Sequence, residues 1–170
     1  MSRSITHVGL ALFHTPTFPT QWVLAFSTHE LFQERVMCRA LRQSVNGLNE
    51  YWETCESSPT SFNRSAILGG VIHIGIVYMS MEDLLKEFSA KGTVVSETYL
   101  PSHSDRFCVQ SLLRLSKGRA VLPTTDEFKL MDLIRGRVSQ VEASQASRAF
   151  KSYPVVELKD GGIRMANSAY

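Results

Sequence analysis

Cys108 is the residue whose surroundings favour nucleophilic chemistry most clearly. It follows the cap candidates Ser104 and Asp105 within the first turn of a predicted helix, where unpaired backbone N–H groups and the helix dipole stabilise a thiolate. Arg106 adds positive charge nearby. This arrangement predicts a cysteine nucleophile for thiol chemistry on an amide or ester carbonyl. The alternative is a small core residue, because Cys108 shares a helix face with Leu112.

A cysteine nucleophile needs a base that takes its proton, and the candidate bases are the histidines. His7 begins the first predicted strand and shares a face with small residues such as Gly9, which leave room for another group. His73 lies in the middle of an apolar strand. Either residue has the alternative role of a core imidazole that is hydrogen-bonded to a backbone carbonyl. His103 precedes Cys108 closely enough to border the same cleft.

The other motifs and the charge exclude several kinds of site. The cysteines Cys38, Cys55 and Cys108 lack C-x-x-C or Cys/His ligand spacing, so neither a structural zinc site nor a disulfide framework is predicted. The chain has no G-x-G-x-x-G or Walker A motif, and we expect no cofactor and no metal. A formal net charge of +2 provides no strong field for nucleic acid. It fits a pocket for a small, uncharged substrate better.

The length of 170 residues suits one domain with one sizeable core. We expect a single globular domain over residues 1–158 and a flexible C-terminal tail over 159–170. The N-terminal apolar run is shorter than the core of most signal peptides, and no stretch reaches the ~18 apolar residues of a membrane span. A cytoplasmic protein without a membrane span is predicted; its oligomeric state is left open.

The first half of the chain consists of β-forming segments bounded by turn residues. Five strands are predicted, over residues 6–13, 21–28, 35–42, 49–56 and 70–78. Residues 14–20 contain two prolines and are predicted to form a loop, while Asn46-Gly47 favours a hairpin turn. In the fifth strand, simple alternation places His73 on one face together with Val71, Gly75 and Val77.

The second half changes to helical periodicity. Three helices are predicted, over residues 80–91, 104–115 and 124–141. Ser80 is the cap candidate of the first, and Thr124 with Glu127 forms a capping-box pattern at the third. The sum is an α+β fold, in which a mostly antiparallel sheet of about five strands packs against about three helices.

The order of these segments resembles a group of small fungal domains. Their pattern runs LALY, HWALL, a central V-x-I-G-x-V strand and W-x-C-R-x-W-V-x-x-A-L. The matching segments here are HVGLAL, QWVLAF, VIHIGIV and RFCVQSLLRL, within roughly residues 6–140. That group in turn resembles the circularly permuted papain-like superfamily, which includes lecithin:retinol acyltransferase-like proteins and NlpC-type peptidases. The resemblance implies a permuted papain-like topology and an active pair of a strand histidine and a helix-start cysteine.

Carried over by position, Cys108 matches the nucleophile of that superfamily. Gln21 stands before Trp22 where the family has its histidine, and glutamine cannot act as a base near neutral pH. The resemblance therefore implies either that His7 is the base, with Gln21 or nearby backbone N–H groups polarising the substrate carbonyl, or that the catalytic pair has been lost. The residues expected to bind substrate are Trp22, His73, His103 and Arg106.

Three functions are compatible with these residues. The first is a cysteine-dependent hydrolase or acyltransferase that acts on a small amide or ester-like substrate. The second is a catalytically degenerate domain that binds a small molecule or a protein partner. The third is a tailoring enzyme of fungal secondary metabolism, a cyclase or isomerase, whose pocket supplies shape and one acid or base. A Cys108 sulfur that is sealed in the core would count against the first function.

Overall fold

The computed structural model describes residues 4–15, 18–46, 49–57, 68–90, 104–119, 121–145 and 152–167. This part of the chain forms seven strands and three helices. The strands are β1 (Thr6–Thr15), β2 (Phe18–Ser27), β3 (Met37–Asn46), β4 (Asn49–Ser57), β5 (Leu68–Val77), β6 (Ser152–Glu157) and β7 (Ile163–Asn167). The helices are α1 (Met81–Ala90), α2 (Ser104–Ser116) and α3 (Glu127–Gln145). The predicted α+β class is confirmed.

All seven strands belong to one mixed sheet with the order β4-β3-β2-β1-β5-β6-β7. Every neighbouring pair is antiparallel except β5 and β6, which are parallel. A parallel pair needs a crossover connection, and the segment that contains α1, α2 and α3 supplies it. The permuted papain-like topology implied by the sequence resemblance stays a prediction.

The sheet is packed on both sides. On the side called here the helix face, strand residues such as Leu10, Leu24 and Ile72 pack against the three helices in the larger core. On the opposite side, the loop face, Val71 and other strand residues pack beneath residues 28–36, called here the cover loop. Successive side chains of a strand point to opposite faces, so each strand contributes to both cores.

The cover loop is anchored to the loop face by a buried tyrosine and a buried phenylalanine. The hydroxyl of Tyr153 donates a hydrogen bond of 2.7 Å to the backbone oxygen of Leu31. Phe32 has a φ of 55° and is fully buried. Its ring lies directly above Gly9, where an added Cβ would be 2.5 Å from the ring carbon Cζ. Only glycine at this position leaves the ring enough room.

Several predicted details are confirmed by the elements. The backbone N–H of Asp83 donates to Oγ of Ser80 at 3.1 Å, so Ser80 caps α1 as expected. Strands β3 and β4 pair with Asn46 opposite Asn49, as the predicted hairpin requires. No helix in the described ranges combines the length and apolar character needed to cross a membrane.

The predicted loop over residues 14–20 is largely strand instead. β1 continues to Thr15 and β2 begins at Phe18. Within the described residues β2 pairs with β3 over Leu24–Phe26, so the missing N–H of Pro19 lies outside that ladder.

The predicted flexible tail contains the seventh strand. The backbone N–H of Glu157 donates to the oxygen of Gly162 at 2.8 Å, and Gly161 adopts a φ of 73° between them. The turn brings β7 antiparallel to β6. The glycines that suggested a frayed end therefore form the turn of a hairpin.

Candidate functional site

Two of the predicted site residues, His7 and His73, meet on the loop face near the centre of the sheet. His7 lies on β1 and His73 on the neighbouring β5, and Nδ1 of His7 is 3.1 Å from Nε2 of His73. The ring centroids are 5.2 Å apart. Each imidazole therefore has a second titratable ring as its partner.

A β-bulge in β5 determines how the residues after His73 are arranged. Gly9 of β1 pairs with His73, whereas the residue before Gly9 pairs with Gly75, so Ile74 is an extra residue in the ladder. Beyond the bulge, Gly75 and Val77 belong to the helix face. The prediction that both share a face with His73 was wrong, because simple alternation does not hold across a bulge.

Glu157 on β6 extends the histidine pair into a line of three side chains. The parallel register of β5 and β6 places Glu157 opposite His73. Nδ1 of His73 lies 2.8 Å and 2.9 Å from the two carboxylate oxygens. Because a carboxylate only accepts, Nδ1 of His73 carries the hydrogen and its Nε2 accepts the Nδ1–H of His7. This assignment leaves Nε2 of neutral His7 as the basic ring nitrogen.

Arg164 and Glu30 continue the line toward solvent. The Arg164 guanidinium on β7 donates to Oε1 of Glu157 at 2.7 Å and to Oε2 of Glu30, on the cover loop, at 2.9 Å. The exposed fraction of the side chain rises from 10% at His73 to 30% at Glu157 and 55% at Glu30. The side chain of His73 is thus shielded from solvent, whereas that of Glu30 meets water.

The surroundings of His7 keep its imidazole in the basic form. Partial burial lowers the pKa of His7 below its ordinary value, and the neighbouring His73 lowers it further. Among the more distant groups, Glu30 opposes this effect, while His29 and Arg164 reinforce it. His7 is therefore neutral at physiological pH and able to accept a proton.

The lowered pKa of His7 predicts that the protein loses stability in mild acid. The unfolded chain takes up the proton first, so the free energy of unfolding should fall as the pH drops below about 6.5. Above that pH, this contribution should be constant. Urea unfolding at graded pH measures the effect. In His7→Gln, the slope of the free energy of unfolding against pH should be smaller below pH ~6.5. An unchanged slope in that variant would contradict the assignment.

Cys108 lies on the helix face, so the sheet separates it from His7. It is fully buried among core residues, and its Sγ donates to the backbone oxygen of Trp22 at 3.5 Å. Burial raises the pKa of the Cys108 thiol well above its ordinary value, and the charge of Asp105 raises it further. The predicted cysteine–histidine pair is not brought together, and the alternative reading of Cys108 as a small core residue fits its surroundings.

We expect iodoacetamide to leave Cys108 unmodified in the native protein over a graded pH series, because its sulfur is sealed and protonated. Peptide mass spectrometry would locate the label, with Cys38, which is also buried, as the internal control. Both should react once the chain is unfolded in denaturant. Labelling of native Cys108 near neutral pH would show that its burial is not maintained.

The other predicted site residues are dispersed. Gln21 pairs with Phe13 of β1, whereas His7 pairs with Ser27. Gln21 therefore lies six residues before the partner of His7 on β2, and roughly 20 Å from His7. Trp22 is buried in the helix-face core. Arg106 is exposed on α2. His103 lies outside the described residues.

Sequence reasoning missed Glu157, Arg164 and Glu30. One signal was available, since Glu157 interrupts an apolar run of β-forming residues in the segment YPVVEL. An acid at such a position is unusual unless it is paired. Its partner, however, could be identified only once β6 was placed beside β5.

Among the described residues, no group of three or more His, Cys, Asp or Glu side chains is arranged to hold a metal ion. Comparison of the chain with models of protein families, with curated proteins and with solved structures found no match.

Proposed function

We propose that the protein is an acid–base enzyme of the isomerase or cyclase type, in which His7 moves a proton on a small substrate. The observation that carries this proposal is the continuous hydrogen-bonded line from His7 through His73 to Glu157. An imidazole base that is oriented by a second group, which is in turn oriented by a carboxylate, is a recurrent device of proton-transfer catalysis.

The proton steps follow from the hydrogen bonds. Nε2 of His7 accepts a proton from an acidic C–H or O–H of the substrate, and Nδ1 of His7 keeps its bond to His73. The Nδ1 proton can then shift to Nε2 of His73, which places the imidazolium charge beside the Glu157 carboxylate. Return of a proton to a different substrate atom reverses these shifts. The net reaction moves one hydrogen and a pair of bonding electrons within the substrate and needs no oxidant.

The cover loop favours this chemistry by excluding water from the His73 side chain. The ring of Phe32 meets His73 edge-on, with centroids 6.0 Å apart. A water-poor setting strengthens the interaction between the His73 imidazolium and Glu157. His7 is therefore available as an unprotonated base, while the compensating charge is held at His73 behind it.

The two other predicted functions have less support. A thiol hydrolase or acyltransferase would need Cys108 to leave the helix-face core and reach a histidine on the other side of the sheet. A domain that only binds a ligand would not need two hydrogen-bonded imidazoles aligned on one carboxylate. That second alternative is the outcome if the following experiment is negative.

The experiment is a solvent exchange assay in D₂O followed by proton NMR. The substrates are small carbonyl compounds with acidic α-hydrogens, offered as neutral ketones and esters and as the corresponding carboxylic acids. We expect the protein to accelerate deuterium incorporation at the acidic carbon of at least one class. Exchange no faster than in buffer across the whole panel would favour a binding domain over an enzyme.

A further inference from the structure

Arg164 holds two carboxylates that differ in how firmly they are fixed. Glu157 is the inner one, and its oxygens are also bonded to His73. Glu30 is the outer one; it belongs to the cover loop, and its side chain is 55% exposed. A guanidinium presents paired donors that match a carboxylate, whichever molecule carries it.

The contact between Arg164 and Glu30 can be exchanged at little cost. Both side chains are more than one-third exposed, and such ion pairs contribute little to stability. A carboxylate from solution can therefore replace that of Glu30 without disturbing Glu157, which retains its bonds to His73.

The position occupied by the Glu30 carboxylate is surrounded by positive or potentially positive groups from three elements. Arg164 of β7 lowers the pKa of Glu30 through its hydrogen bond and its charge, and His7 of β1 and His29 of the cover loop act in the same direction. An anion held here would thus interact electrostatically with the imidazole that we propose as the base.

We infer that Arg164 binds the carboxylate of the substrate at the position that Glu30 occupies, and that the site accepts small carboxylate-bearing molecules. This inference rests on the proposed function, because it orients the substrate toward His7. It also revises the expectation of an uncharged substrate, which was drawn from the net charge of the whole chain. A local guanidinium governs recognition more than the sum of distant charges, which salt screens.

Binding can be measured without turnover by NMR of protein labelled at the histidine rings. Acetate is titrated at a pH where His7 is neutral, and the shift of the His7 signals is followed. We expect saturable binding, about twofold to fivefold tighter in Glu30→Gln, since that change removes the internal competitor. Glu34→Gln, an exposed glutamate on the same loop, is the matched control and should bind like the parent.

Two substitutions at Arg164 test the anion contact itself. Arg164→Met should abolish the saturable shift, and Arg164→Lys should weaken it while keeping the charge, because lysine lacks the paired donors. Equal acetate binding in the parent, Glu30→Gln and Arg164→Lys would overturn the inference. Phosphate that binds in place of acetate would overturn the carboxylate assignment.

The outcome separates this inference from the proposed function. Acetate binding that depends on Arg164, together with no exchange of any substrate, would support the carboxylate site and contradict the proposed enzymatic function. Exchange of neutral ketones and of acids at equal rates, with no effect of Arg164→Lys on KM, would support the proposed enzymatic function and contradict the carboxylate site.

Discussion

Replacement of His7 by glutamine is expected to slow deuterium exchange into the substrate by about 10²–10⁴-fold, the usual contribution of a positioned acid or base. Glutamine can still donate a hydrogen bond to Nε2 of His73, so the sheet should remain intact. The loss should appear in kcat, because the proton transfer itself is affected. The measurement is the rate of exchange at saturating substrate in the NMR assay.

His14→Gln provides the matched control, since His14 lies on the same strand and bonds Thr20 at 3.0 Å, away from the line of side chains that joins His7 to Glu157. This variant should catalyse deuterium exchange into the substrate at the same rate as the unchanged protein. Glu157→Gln tests the positioning role, because the amide keeps an acceptor for His73 but removes the charge that stabilises its imidazolium. We expect a lower rate and an altered pH profile in that variant. A parental rate in His7→Gln would exclude His7 as the base.

Phe32→Ala should give the largest loss of stability among the changes near the site, about 3–5 kcal/mol. The ring is fully buried and fills the space above Gly9, so its removal leaves a cavity beneath the cover loop. The same change should raise the pKa of His7 toward its ordinary value, because burial is the main cause of its lowering. Urea unfolding and NMR titration of the histidine rings measure the two effects.

Phe128→Ala is the control for this prediction, because Phe128 is 82% exposed on α3. Its removal should change the free energy of unfolding by no more than about 0.5 kcal/mol. If both variants unfold at the same urea concentration, the cover loop does not belong to the cooperative fold. If only the stability changes, the loop stabilises the protein without setting the properties of His7.

Local sequence patterns were sufficient for most of the fold. The apolar, β-branched run in β5 and the Ser80 cap of α1 are properties of neighbouring residues, and the structure contains both. β6 and β7 were not predicted, because each is short and the turn between them resembles a frayed end. Their place in the sheet depends on a parallel pairing across a connection that contains three helices.

The candidate site was predictable only as separate residues. His7 and His73 could be named as bases, but their contact depends on strand pairing, and Glu157 is 84 residues from His73 in the chain. For Cys108 the helix was predicted correctly, since α2 begins at Ser104. Capping residues show where a helix starts, but they do not show which of its faces packs on a sheet.

The bulge at Ile74 has an evolutionary consequence. The face on which a strand residue lies changes when one residue is inserted or removed on one side of it. Loss of the Ile74 codon is the exception, because it would remove the extra residue and leave Gly75 opposite the residue before Gly9, still on the helix face. A deletion of one residue at the bulge can therefore be absorbed, with His73 kept on the loop face and Val77 kept in the helix-face core.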